Sequence, residues 1–169
     1  MFERFFPDEY LDSAYAVNYE KLYQEGYRGI LFDIDNTLVP HGAPADPEAI
    51  RLFQKLRDIG FSCCLVSNRK KRVEPFAASV GAQFIEMAAK PSRKGYERAM
   101  ERLGTNTGNT VFIGDQLFTD IWGAKNAGLR NILVKPINPK EEIQIVLKRY
   151  LEKIVLWFYV RSQEKNSGS

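Results

Sequence analysis

Cysteine is scarce in this chain, and the two that occur, Cys63 and Cys64, are adjacent within an apolar run. Such neighbours read as buried thiols, not as a disulfide or a metal site, and a reducing, cytoplasmic setting is expected. Long apolar stretches are also missing. No segment is long enough to span a bilayer as a helix, and the opening MFERFFPDEYLDS is broken by Glu3, Arg4, Asp8 and Glu9, which leaves no apolar core for a signal peptide. An excess of one charge is lacking too. A net charge of +3 gives no whole-domain field for nucleic acid, so none is expected as a partner and any basic recognition must be local. No internal repeat is present.

What remains is an ordinary globular composition, 44% hydrophobic and 27% charged, in 169 residues that suffice for one core without disulfides. Residues 1–28 are rich in Phe and Tyr and are expected to form short helices in an arm that covers the core. Asp46 and Pro47 announce a helix whose stripe is Ile50, Phe53, Leu56 and Ile59, stopped by Gly60. Strands are expected at 61–66, 83–85, 110–113 and 131–134. Between them lie a short helix over 75–80, one capped by Ser92 that carries Tyr96, Met100 and Leu103, and one over 119–127. Strands alternating with single helices imply a Rossmann-like three-layer α/β sandwich around a mostly parallel five-stranded sheet, with a core over 29–138. A C-terminal helix over 139–163 follows, with Ile143, Val146, Leu147, Tyr150, Leu151, Ile154 and Phe158 in its stripe. Its stretch IVLWFYV is apolar on every side and needs a cover, which could be the domain or the aromatic arm, a second copy in a homodimer, or a membrane interface. Residues 164–169 read as a frayed polar tail.

The organising stretch is GILFDIDNTL, residues 29–38. Ile30, Leu31 and Phe32 have the content of a buried parallel strand, and the run ends abruptly in Asp33, Asp35, Asn36 and Thr37. Two carboxylates one residue apart repel each other, which a divalent cation or a shared proton relieves. The crevice beyond the strand ends of an open α/β sheet is also where ligands sit. From this stretch alone, a plain acidic turn is an equal reading. The other strand ends decide, because they add Ser67, Lys90 in AAKP, and Asp115 through Asp120 in GDQLFTD.

These four features, in this order, resemble a haloacid dehalogenase (HAD) superfamily phosphatase over roughly 29–136. The resemblance implies a phosphomonoester hydrolase in which Asp33 is the nucleophile, forming an aspartyl-phosphate, and Asp35 is the general acid and then the base. It implies that Thr37 and Ser67 donate to phosphoryl oxygens and that Lys90 supplies the compensating cation. Lys94 competes for that last role, and the family's placement of the lysine ahead of the following helix favours Lys90. Magnesium would be held by Asp33, the Asp35 carbonyl and Asp115, with Asp120 at or just behind them. Asn68 reads as a positioning residue. Arg69, within the run Arg69 to Arg72, is either a solvated cation or a contact for an anionic substrate. His41, the single histidine, reads as a rim residue, since Asp35 already fills the base role.

Neither gap that holds a cap domain in this superfamily has room for one here. The wording FDIDNTLVP, with SN, KP and GDQLFTDIWGA, is similar to the YqeG-like subclass IIIA branch, which in turn resembles phosphatases that remove the terminal phosphate of phosphatidylglycerophosphate. That implies a phospholipid substrate, and possible peripheral placement at a membrane. A soluble phosphatase for small molecules or phosphoproteins is the enzyme alternative. A phospho-receiver module is disfavoured because the second strand ends in Ser67 where a receiver has its aspartate.

Overall fold

The computed structural model describes residues 2–138 and 143–167. Six parallel strands form one sheet: β1 (Glu9–Leu11), β2 (Gly29–Phe32), β3 (Ser62–Val66), β4 (Gln83–Ile85), β5 (Thr110–Gly114) and β6 (Arg130–Val134), in the order β1-β6-β5-β2-β3-β4. The chain runs outward from β2 through β3 to β4, then crosses back to place β5 on the other side of β2. That reversal opens a crevice at the carboxyl ends of β2 and β5, the usual ligand position in such sheets.

Alternation along the strands sorts the core into two faces. Ile30, Phe32, Leu65, Val111 and Ile113 point into one cluster, whereas Leu31, Cys64, Val66 and Phe112 point into the other. The first face is covered by α1 (Tyr19–Gln24), α2 (Pro47–Ile59) and α3 (Lys70–Val80), the second by α4 (Arg93–Leu103) and α5 (Trp122–Asn126). Helix α2 begins as its sequence predicts. The Asp46 carboxylate accepts from the Ala49 N–H at 2.8 Å, and Gly60 closes the helix at φ 119°. Its inward stripe is Ala49, Leu52, Phe53 and Leu56, so Ile50, expected in the core, lies outside.

Four further expectations change. The arm before residue 29 contributes a sixth strand, β1, paired with β6; its three residues between acidic neighbours are too few to show a period. The helix expected over 75–80 starts at Lys70, so the basic run forms its first turn and Pro75 lies inside it. The helix expected over 119–127 is a π-helical turn, Leu117–Ile121, leading into α5. The last helix, α6 (Ile143–Ser167), takes in residues 164–167 of the expected tail. Residues 139–142 and 168–169, and the expected stripe side chains of Ile143 and Val146, lie outside the described residues.

The arm does cover core. Ala14, Val17, Tyr19 and Leu22 join the first cluster, while Phe5 packs with Leu117, Ile121, Leu133 and Val155 of α6 in a third.

Candidate active site

Asp33 leaves β2 with its N–H still bonded to the Ile113 carbonyl, which fixes its carboxylate beside the end of β5. The chain then turns sharply. Thr37 and Leu38 both donate to the Ile34 carbonyl, and Asn36 takes a left-handed φ of 61° while its N–H reaches Val39. This turn returns Thr37 under Asp33, where its hydroxyl lies 3.2 Å from Asp115 Oδ1 and 3.5 Å from Asp33 Oδ2.

Asp115 follows β5 directly, and Asp120 comes back to it on the π-helical turn. The Gln116 N–H donates to Asp120 Oδ2 at 3.1 Å, and the buried Tyr96 hydroxyl donates to the Asp120 carbonyl at 2.9 Å. Gly114 permits that return. A Cβ there would stand 2.7 Å from Asp120 Oδ2. Oxygens of Asp33, Asp115 and Asp120 thereby lie within 4.8 Å of one another, and Asp115 and Asp120 are buried.

Lys90 answers this concentration of charge. Its Nζ lies 2.7 Å from Asp33 Oδ1 and 2.7 Å from Asp120 Oδ1, with only 6% of its side chain exposed. Burial alone would lower its pKa, but Asp120 and Asp33 together outweigh that and raise it, so the ammonium stays charged. Burial, and next the neighbouring Asp120, push Asp33 up to about 6 against the pull of Lys90. Asp115 is raised well above the carboxylate range by burial and by Asp33 and Asp120, with Arg149 opposing. Three crowded carboxylates, offering hard oxygens within 4.8 Å of one another, suit a divalent cation. The residues fit a metal.

Asp35 is turned away from this cluster. Its Oδ1 accepts from Arg72 Nε at 2.9 Å and from the Gly42 N–H at 2.8 Å, and Arg72 also donates to the Ala43 carbonyl. Arg72 therefore clamps the 40–43 loop over the site. The Asn68 side chain holds the Lys90 N–H at 2.9 Å, which makes it a positioning group for the lysine. Ser67 Oγ accepts from the Arg69 N–H at 3.1 Å, and Arg69 reaches His41 at 3.5 Å on the exposed rim. Lys94 is exposed on the first turn of α4, away from the carboxylates that Lys90 bridges. Asp33, Asp35, Ser67, Asn68, Arg69, Lys90 and Asp120 line one cavity of about 260 Å³.

One partner escaped the sequence. Arg149, on α6, donates to the Asp115 carbonyl at 2.6 Å and also to its carboxylate, and bonds Glu152 at 3.1 Å. Glu152 in turn accepts from the Leu117 N–H at 3.0 Å. The only sequence signal was an Arg and a Glu three apart on a helix with other charges along it.

A parallel α/β sheet with an acidic cluster and one buried lysine at its switch point defines a phosphatase of the haloacid dehalogenase class. Residues 87–137 match the HAD-hydrolase-like family model. The chain is 35% identical over 159 residues to Probable phosphatase YqeG of Bacillus subtilis (strain 168), covering 92% of each. It is also 24% identical over 158 residues to phosphatidylglycerophosphate phosphatase 1, chloroplastic/mitochondrial, of Arabidopsis thaliana, covering 81% of this chain and 45% of that one. A HAD phosphatase from Thermococcus onnurineus superposes with TM-score 0.56 at 18% identity, covering 69% of this chain and 89% of that one, a likeness of fold. The chain belongs to the YqeG-like family of HAD-superfamily phosphatases, and the described residues form no cap domain.

Proposed function

We propose that the chain hydrolyses a phosphomonoester in two displacements on Asp33, with magnesium held by Asp33, Asp115 and Asp120, and that the substrate is phosphatidylglycerophosphate. The observation that carries the reading is Lys90, whose ammonium bridges Asp33 and Asp120 at 2.7 Å each. It holds the Asp33 carboxylate in one orientation and neutralises part of the charge that a phosphate dianion would meet.

In the first displacement an Asp33 oxygen bonds to phosphorus as the bond to the leaving oxygen breaks, and a proton passes from Asp35 to that oxygen. In the second, water attacks the aspartyl-phosphate, Asp35 takes its proton, and inorganic phosphate leaves with Asp33 regenerated. Asp35 accepts from Arg72 and Gly42, so the acid role requires its carboxyl to turn from these partners toward the leaving group. Ser67, which lines the cavity, supplies a neutral donor to the phosphoryl oxygens, the buried Thr37 hydroxyl stays with Asp115 and Asp33, and Arg69 on the rim meets the substrate's second phosphate. When bound, magnesium supplies the further charge neutralisation that lets two anions approach.

A lipid substrate is supported by the likeness to the Arabidopsis enzyme, whose name gives it that substrate, and by a site over which the described residues place no cap. The test is magnesium-dependent phosphate release by wild type and Asp33→Asn, on phosphatidylglycerophosphate in mixed micelles beside soluble phosphomonoesters. Turnover that prefers the lipid and vanishes in a folded Asp33→Asn protein is expected. Preference for a soluble ester would remove the lipid assignment, and turnover retained by Asp33→Asn would remove the nucleophile.

A further inference from the structure

Helix α6 has two unlike sides. Arg149, Glu152 and Val155 face the domain, whereas Leu147, Tyr150, Leu151, Ile154, Trp157 and Phe158 recur at three- and four-residue intervals on the other side, where only Phe158 meets the arm, its ring 5.5 Å from Phe2. All six are exposed, Tyr150 at 66% and Trp157 at 50%. So much aromatic and aliphatic surface on one helix marks a contact face.

The charges beside it name the partner. From Leu147 to Ser167 the cations outside the Arg149 clamp are Lys148, Lys153, Arg161 and Lys165, and the anions other than buried Glu152 come to Glu164 alone. Arg161 lies 4.0 Å from the Trp157 ring, and Trp157 packs edge-on against Phe158 at 4.9 Å, so the aromatic and basic groups form one patch. Two such faces brought together would repel. A layer that accepts apolar side chains and carries negative charge satisfies both parts at once. No described helix is long and apolar enough to cross a membrane, which leaves a helix lying in the interface plane.

We propose that α6 docks this protein on an anionic lipid surface, with Leu151, Ile154 and Trp157 entering the headgroup layer and Lys153 and Arg161 meeting lipid phosphates. This goes beyond the proposed substrate, because the surface would bind bilayers that contain no phosphomonoester at all. The same helix reaches Asp115 through Arg149, so docking sets the catalytic site close to the bilayer.

The experiment is co-sedimentation of the full chain with phosphatidylcholine vesicles with and without phosphatidylserine, read also through tryptophan emission. Wild type should bind the anionic vesicles and not the neutral ones, with a blue-shifted emission. Lys153→Glu and Arg161→Glu should each weaken binding at least about fivefold, the worth of one lost cation near such a surface. Ile154→Ser with Trp157→Ser should abolish it while thermal unfolding and turnover of a soluble ester stay as in wild type. Equal binding to neutral vesicles, no binding, or a solution dimer that the double serine variant dissociates would overturn the proposal. None of these outcomes depends on whether phosphatidylglycerophosphate is the substrate.

Discussion

Arg149 donates from Nη1 to the carbonyl of Asp115 and from Nη2 to its carboxylate, so the last helix of the chain is bonded to the buried end of β5. Asp115 is thus shared. One carboxylate oxygen faces the Thr37 hydroxyl, the other a guanidinium. Arg149→Gln leaves Asp115 and Glu152 without their cation and should cost about 3 kcal/mol of metal-free stability, as removal of one partner from a buried ion pair does. A divalent ion then meets less opposing charge. Magnesium affinity should rise roughly tenfold, from Coulomb interaction across a few ångströms at protein dielectric. Thermal unfolding with and without magnesium checks both, and an unchanged magnesium increment would show that Arg149 does not compete with the ion for Asp115.

Gly114 is a second control on the same cluster. Its missing Cβ would lie 2.7 Å from Asp120 Oδ2 and 2.7 Å from the Phe112 ring, both in crowded surroundings. Gly114→Ala should destabilise the protein by about 1–3 kcal/mol, the usual cost of overpacking. Because the displaced atom is a carboxylate oxygen of the acidic cluster, magnesium binding should weaken as well. Isothermal titration of a folded Gly114→Ala protein would show wild-type affinity if Asp120 stays outside the metal's reach.

The placement of the candidate site residues was legible because they stand at strand ends. Asp33, Asp35 and Thr37 follow β2, and Asp115 follows β5 directly. Asn68 as a positioning group and Lys90 over Lys94 follow from the structure, where Asn68 holds the Lys90 N–H and Lys90 reaches two carboxylates. What stayed hidden depends on distance along the chain. Strand β1 is three residues long and gains its register only from β6, more than a hundred residues later. Arg72 read as one of four like cations, yet its partner Asp35 is 37 positions away. Arg149 sat on a helix whose apolar residues announced packing, and nothing local pointed it at Asp115.

Cys63 and Cys64 test the burial of β3. Desolvation pushes both thiols up to about 12, Arg57 and Arg102 respectively pulling the other way. A folded-state value above the ordinary 9.0 means that the native state retains the protons longer than the unfolded chain. The associated stability is present below about pH 9 and is lost as pH rises toward 12. Thiolate-directed alkylation at pH 8 should therefore be slow in the native protein and fast after unfolding. Rapid native labelling of Cys64 would contradict its place in the core.

Lys90 and Lys94 give the sharpest contrast, because both precede or open α4 and only one reaches the carboxylates. Lys90→Met removes the cation from Asp33 and Asp120 in a setting where burial already disfavours ionisation of Asp33. Turnover should fall by at least about a hundredfold, as when a charge-stabilising group is removed from a closed site. Metal-free stability should also drop, by about 3 kcal/mol, and magnesium should restore part of it by taking over the neutralisation of the three carboxylates. Lys94→Met touches none of these groups and should leave turnover within about twofold, as expected of an exposed substitution. The pair of variants separates a lysine that holds the nucleophile from one that merely adds positive charge nearby. Equal losses in both would mean that the long-range field, and not the 2.7 Å contact with Asp33, carries the effect.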